Sequence, residues 1–171
     1  MGTGGIGAAI ALAAKSFGLE VIGLNSDGRA VDDFTTCYRS ADRLAFAEGL
    51  DYLVSVLPQT PQTDNLIDHE VLMLLNPRAI VMNAGRGNAM VESDLIASLN
   101  ASHLRAAVLD VFREEPLPPD DPLWSTPGVY ITSHTAAPTP DEAIGEVFER
   151  NFQLYIAGEP LTDAVSAGRG Y

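Results

Sequence analysis

Short apolar runs alternate with stretches of helical periodicity along most of the chain. Residues 20–25 (Glu-Val-Ile-Gly-Leu-Asn), 51–57 (Asp-Tyr-Leu-Val-Ser-Val-Leu) and 79–83 (Ala-Ile-Val-Met-Asn) have the length and near-continuous apolarity of strands buried on both faces. Residues 104–111 and 128–132 share that pattern. Between these runs, helices are predicted over 5–17, 41–48, 68–75 and 92–99. A last helix is predicted from Thr139-Pro140-Asp141-Glu142, with Thr139 as cap, Pro140 in the first helical position and Glu142 closing a capping box. Ile144, Val147, Phe148 and Tyr155 fall on one face of it. Strand and helix alternating at this spacing predict right-handed crossovers and a doubly wound, parallel α/β sheet.

The first helix is preceded by Gly2-Thr3-Gly4-Gly5-Ile6-Gly7, which has the spacing G-x-G-x-x-G. In such a turn the first glycine makes the bend, the second lets the backbone approach a pyrophosphate and the third lets helix and strand pack closely. The helix N-terminus adds N–H donors and the positive end of its dipole. This context makes the fold Rossmann-like. A sheet of this kind opens with a central strand that feeds the turn, and here only Met1 precedes it. The expectation is therefore a first strand largely missing, unpaired ladder groups on its neighbours and an open core. A truncated reading frame, a mis-called start codon and a genuine fragment all fit that expectation.

The strand ending at Asn25 meets the adenosine ribose in this fold. An acidic residue there selects NAD by repelling a 2′-phosphate; Asn25, followed by Ser26, Asp27, Gly28 and Arg29, does not. Arg29 favours the phosphate and Asp27 opposes it, so NAD and NADP both remain open, with a lean towards tolerance of NADP.

Composition narrows the class. A length of 171 residues with 46% hydrophobic and 19% charged suits one soluble domain. Cys37 is the only cysteine, so no internal disulfide forms and a reducing, cytoplasmic setting is expected. No apolar run reaches membrane-spanning length, and the N-terminus lacks the basic region of a signal peptide. The net charge of −13 argues against nucleic acid as a partner. Lys15 is the only lysine, and an acidic, lysine-poor surface suits a salt-rich, halophilic cytoplasm; the plainer reading is an acidic protein from a GC-rich genome.

Three further motifs each follow a predicted strand, at the edge where ligands bind in open α/β sheets. They are Asn83-Ala84-Gly85-Arg86-Gly87, Asp110-Val111-Phe112-Arg113-Glu114-Glu115-Pro116 and Ser133-His134-Thr135-Ala136-Ala137. Their chemistry suits a 2-keto acid. Arg86 can pair bidentately with a carboxylate and polarise the keto oxygen. His134 can give a proton to that oxygen as a hydride arrives at carbon, and take it back in reverse. Glu115 is expected to orient the imidazole and raise its pKa, and Asp110 to accept from a nicotinamide carboxamide. Taken singly, each has an ordinary reading as a surface charge or turn residue, and His69 and His103 receive no role. No metal site is expected.

Together with Leu57-Pro58-Gln59-Thr60-Pro61-Gln62-Thr63, these motifs resemble the D-isomer-specific 2-hydroxyacid dehydrogenase family over nearly the whole chain. The resemblance implies Arg86 as substrate ligand, His134 as acid/base and Glu115 as its partner. It implies a cofactor site, for NAD or NADP, built from Gly2, Thr3, Gly4, Gly5, Ile6, Gly7, Asn25, Ser26, Leu57, Pro58, Thr63, Ala84, Gly85, Asp110 and Ala136. The ending Ala167-Gly168-Arg169-Gly170-Tyr171 is similar to members related to glyoxylate/hydroxypyruvate reductase. Ser133 departs from the family's usual proline, and Asn25 from its usual acidic residue.

The resemblance further implies a substrate domain and a dimer-forming helix ahead of the glycine turn, neither of which this sequence contains. Residues 1–139 are thus read as the dinucleotide-binding domain and 140–171 as a helix and tail that pack on that absent domain. Little turnover is expected of the chain alone. A non-catalytic dinucleotide-sensing module and a phosphoglycerate-type substrate are the alternatives.

Overall fold

The computed structural model describes residues 1–137, 139–162 and 164–165. The glycine turn leads into α1 (Gly5–Ser16), followed by β1 (Gly23–Asn25), β2 (Cys37–Arg39), α2 (Arg43–Ala47) and β3 (Tyr52–Ser55). Then come α3 (His69–Leu74), β4 (Ile80–Asn83), α4 (Glu92–Asn100), β5 (Ala106–Leu109), β6 (Val129–Ile131) and α5 (Asp141–Ala157). Every strand pairing is parallel. The strands form two sheets, β1–β2 and β3–β4–β5–β6, with helices on the flanks, as the alternating pattern predicted.

Met1 lies between the two sheets and joins them. Its amine donates to the Val54 carbonyl at 2.7 Å, and its own carbonyl accepts from Val56 N at 3.1 Å. Gly2 N reaches across to the Leu24 carbonyl at 2.9 Å. Before Met1 the sheets stand apart around a cavity of about 430 Å³, lined chiefly by α1, β3 and residues 19–22.

Elements are shorter than the apolar runs that predict them. The run 51–57 contributes four ladder residues and 20–25 contributes three, because pairing partners end before the apolarity does. β2 was not anticipated: Cys-Tyr-Arg is only partly buried and has no apolar run. Over 41–48 the chain forms a 3-10 turn at Ser40–Asp42 and then the five-residue α2. The expected cap at Thr139 is also corrected. Pro140 occupies the N-cap position in extended geometry, and no side chain caps the helix. Asp141 and Glu142 in the first turn instead offset its positive end.

The core is continuous from Leu24 and Phe46 through Leu53, Ile67, Leu72 and Val81 to Leu95 and Leu109. Arg43 ties α2 to the start of α3 with two bonds to Asp68, at 2.7 and 2.9 Å, while Asp68 also caps α3 through Val71 N. α5 has no buried residue. Its Ile144, Val147, Phe148 and Tyr155 face, read from the sequence as apolar, is exposed, and Phe148 stacks on Phe152 at 6.1 Å. The tail Ala167–Tyr171 lies outside the described residues.

Candidate active site

Steric demands divide the four glycines of the turn into two pairs. Gly2 adopts φ +89°, a conformation open to glycine, and packs against Val56. A Cβ on Gly7 would sit 2.0 Å from the Gly2 carbonyl oxygen, so α1 can start this close only with glycine there. Gly4 and Gly5 differ: nothing lies within 4 Å of the position a Cβ would take. The protein itself does not require glycine at these two sites. A ligand lying against the backbone would, and the α1 N-terminus, which has no side-chain cap, presents its N–H groups to that same space.

Asn25, at the end of β1, turns inward. Its Oδ1 accepts from Gly28 N at 2.6 Å, and its Nδ2 donates to the Arg29 carbonyl and to Thr3 Oγ1. The side chain therefore builds the 25–29 turn and ties it to the glycine turn. Ser26 is exposed beside it, and Arg29 pairs loosely with Asp27 at 3.4 Å.

The loops after β3 and β4 meet through glycine. A Cβ on Gly85 would fall 2.5 Å from Leu57 N, and one on Gly87 1.9 Å from the Phe112 carbonyl. Thr63 Oγ1 donates to the Pro58 carbonyl at 2.6 Å, closing the 57–63 loop that brings Leu57 and Pro58 alongside Ala84 and Gly85. Asn83, quoted in the motif but given no role from sequence, is buried and bonds both Gly85 N and the Arg86 carbonyl. It sets the bend that exposes Arg86, whose Nη1 donates to the Gly85 carbonyl at 2.7 Å. Arg113 is a second residue without a sequence-level role. Its guanidinium reaches Asn65 Oδ1 at 2.6 Å and the carbonyls of Asn88 and Met90, stapling three loops below the site. The signal for both was only their place in a strand-end motif.

At the edge of β5 and β6 two carboxylates organise the histidine. Asp110 is 5% exposed, and its oxygens accept from Thr132 Oγ1, from Thr135 N at 2.9 Å and from Ala136 N at 3.0 Å. His134 N in turn donates to the Asp110 carbonyl at 2.8 Å. The expected acceptor for a nicotinamide thus has its carboxylate turned into the 132–136 loop, where Ala136 serves as a donor to it. This clamp holds His134 at φ +55°, a left-handed conformation costing an L-residue about 1–2 kcal/mol. Backbone strain of this kind collects at functional sites.

Glu115 Oε2 lies 2.8 Å from His134 Nδ1, and Glu115 Oε1 accepts from Phe112 N at 2.9 Å. The bond to His134 holds the Glu115 carboxyl below its usual range, helped by the Phe112 amide, against a smaller opposing effect of burial. The charges of His134 and Arg86 contribute in the same direction. For Asp110, burial is the largest influence and works upwards. The donors from Thr132, Thr135 and Ala136, together with the His134 charge, outweigh it and leave the carboxyl lowered.

Both shifts have the same sign, so their stabilisation is complete above the ordinary carboxylate range and is lost as pH falls through the lowered values. A melting series from pH 7 to 3 is expected to fall off below about pH 4. Asp110→Asn should flatten that fall; an unchanged slope would contradict the clamp.

Among the described residues, no group of three or more His, Cys, Asp and Glu is placed to hold a metal ion. Among them also, no helix is long and apolar enough to cross a membrane.

Residues 1–136 match the family described as D-isomer specific 2-hydroxyacid dehydrogenase, NAD binding domain. The chain is 36% identical over 171 residues to glyoxylate/hydroxypyruvate reductase A of Yersinia enterocolitica, covering 100% of itself and 55% of that protein. The corresponding reductase of Klebsiella pneumoniae is also 36% identical, with the same coverage. Its fold is similar to that of the NADPH-dependent glyoxylate/hydroxypyruvate reductase from Sinorhizobium meliloti, crystallised with NADP and sulfate. There the TM-score is 0.91 and the identity 33%, over 100% of this chain and 55% of the other. A D-isomer specific 2-hydroxyacid dehydrogenase from Xanthobacter autotrophicus, in complex with NADPH and MES, gives 0.92 and 34%, over 99% of this chain and 70% of that one. The chain therefore spans about half the length of the curated relatives it matches. A glycine turn that leaves room for a ligand, a histidine clamped against a glutamate at the same sheet edge, and the match over residues 1–136 agree: the chain belongs to the D-isomer specific 2-hydroxyacid dehydrogenase family, as its NAD binding domain.

Proposed function

We propose that this chain is the dinucleotide-binding and acid/base part of an oxidoreductase that reduces a small 2-keto acid, of the glyoxylate or hydroxypyruvate kind, to its D-2-hydroxy acid. The observation that carries the reading is the His134–Glu115 pair at 2.8 Å, held on a strained loop at the strand ends. The names of the most similar relatives support the substrate class.

The residues fit a dinucleotide, because Gly4 and Gly5 leave a cradle that a Cβ would fill. Backbone groups of Gly4, Gly5 and Ile6 would hold the pyrophosphate, with Thr3, Ser26, Leu57, Pro58, Thr63, Ala84 and Gly85 around the remainder. Asn25 acts by shaping the ribose loop, and Asp110 by holding Ala136 and the histidine loop in place. The cofactor, when bound, supplies the hydride. With no acidic side chain at position 25, the loop tolerates NADP as well as NAD, in keeping with the NADP and NADPH complexes of the neighbours.

The protein's own part is proton transfer and positioning. Because Glu115 faces Nδ1, the other ring nitrogen of His134 is left to donate to the keto oxygen. Glu115, its carboxyl held below the usual range, is ionised at neutral pH and fixes the ring plane through Nδ1. Arg86 uses one N–H on Gly85 and presents the rest of its fork to the substrate carboxylate.

Relatives are nearly twice as long, so the rest of a cleft that positions substrate and excludes water is expected from outside these residues. Turnover by the 171-residue chain alone is accordingly expected to be small, and α5 is read as packing on that further part.

The test is His134→Ala in a protein extended to the length of the relatives, followed by single-turnover NADPH oxidation at saturating glyoxylate. A loss of roughly 10²–10⁴-fold is expected, with NADPH binding by fluorescence unchanged. An unaltered rate would remove the acid/base assignment and leave a dinucleotide-sensing role.

A further inference from the structure

Acceptors from two other loops converge on the guanidinium of Arg113. Its Nη2 donates to Asn65 Oδ1 at 2.6 Å, to the Asn88 carbonyl at 2.8 Å and to the Met90 carbonyl at 3.2 Å. Its Nη1 donates to Asp64 Oδ1 at 3.3 Å. The backbone is held as well: Arg113 N donates to Glu92 Oε1 at 2.8 Å, at the start of α4. With 40% of the Arg113 side chain exposed, the ion pair to Asp64 contributes little. What the planar fork supplies is direction, because it joins backbone oxygens that are themselves fixed.

Those oxygens belong to the segment that follows Arg86. Asn88 and Met90 lie in and just after the buried 3-10 turn Gly87–Ala89, whereas Arg86 beside it is exposed. Asn83 holds the Arg86 carbonyl from one side. Arg113 holds the turn from the other. Gly87 also rests directly on the Phe112–Arg113 peptide: a Cβ there would lie 1.9 Å from the Phe112 carbonyl and 2.3 Å from Arg113 N. A side chain as long as that of Arg86 aims its fork only as well as its backbone is held.

The same peptide holds the acid/base pair. Phe112 N donates to Glu115 Oε1, and Glu115 Oε2 faces His134 Nδ1. Bonds and close contacts therefore run without a break from the Arg86 loop, through Arg113 and the Phe112 amide, to the imidazole. The carboxylate and keto groups of a 2-keto acid sit on adjoining carbons, so the side chains that meet them must keep a fixed spacing. We propose that Arg113 is a positioning residue for the reduction, setting Arg86 and the Glu115–His134 pair at a fixed distance from each other. It acts through the 87–90 turn on one side and the Phe112 amide on the other. The inference rests on the reductase reading of the site.

The test is Arg113→Met, which keeps the stem and removes the fork, in a protein extended to the length of the relatives. Its kcat/KM for glyoxylate is expected to fall roughly 10–100-fold, through a higher KM and a lower kcat together. NADPH affinity should stay within about twofold, since none of these bonds involves the glycine turn. In a Glu115→Ala background the further loss of kcat should shrink to less than about twofold, while KM for glyoxylate still rises. A general loosening of the fold would lower kcat equally in both backgrounds, and that result would overturn the proposal. So would an unchanged kcat/KM in Arg113→Met. If that variant did not fold, Glu92→Ala, which frees only the Arg113 amide, decides: a fall of about threefold in kcat/KM is expected, and no fall would overturn the proposal. His134→Ala in the same protein separates the two readings. If it kept its rate, the acid/base assignment would go; if it lost its rate and Arg113→Met did not, only the role of Arg113 would go.

Discussion

Two alanine substitutions three residues apart in the glycine turn, Gly7→Ala and Gly4→Ala, are expected to behave in opposite ways. At position 7 the new methyl would lie 2.0 Å from the Gly2 carbonyl oxygen, a backbone atom that can move only if α1 moves. Overpacking against a fixed group costs on the order of 3 kcal/mol. For a chain of this size that is a fall of roughly 6–12 °C in Tm. At position 4 the methyl meets nothing within 4 Å, and φ of −75° is open to alanine. Gly4→Ala should melt within a degree or two of the wild type, since surface changes are typically worth about ±0.5 kcal/mol. It should nonetheless bind NADPH at least tenfold more weakly, because the methyl occupies the space the pyrophosphate needs. Scanning calorimetry and a fluorescence titration of both variants separate the two roles. If Gly4→Ala bound NADPH normally, the cradle would have to lie elsewhere.

Asp110→Ala carries the second large effect. It removes the acceptor for Thr132 Oγ1, Thr135 N and Ala136 N together. Bonds to a charged acceptor contribute about 1.5–3 kcal/mol each. Part of this returns as the donors reach water and His134 relaxes from its left-handed conformation, which leaves a net loss of roughly 3 kcal/mol. The functional consequence should exceed the thermal one. Without the carboxylate, only the bond from His134 N to the residue-110 carbonyl restrains the loop, so the His134 backbone can leave φ +55° and the imidazole loses its alignment with Glu115. Amide exchange at Thr135 and Ala136 should rise sharply while the β3–β4 core stays protected. If exchange there did not change, the loop would be held by something other than Asp110.

The sequence carried the alternation of strand and helix, and with it the parallel α/β fold, because apolar runs buried on both faces leave a signal that needs no neighbour to be read. It also carried the glycine spacing, the order of Arg86, Glu115 and His134 along the chain, and the apolar face of α5. What it lacked was direction. Asn25 and Asp110 are polar residues at strand ends, and a strand end says only that a side chain is near the ligand edge. The fold turned both inwards, Asn25 onto Gly28, Arg29 and Thr3, and Asp110 onto the histidine loop.

The same limit hid β2, whose residues, two partly buried and one exposed, gain strand character from pairing with β1 and not from their own composition. It hid Asn83 and Arg113, whose partners lie on other loops. It hid the reason for Gly85 and Gly87 as well, since only the close approach of Leu57 and Phe112 makes a side chain impossible there. Local pattern is a property of one segment and survives in a string of letters. Hydrogen-bond partners and steric exclusion join segments far apart in the chain, and only the tertiary structure decided them.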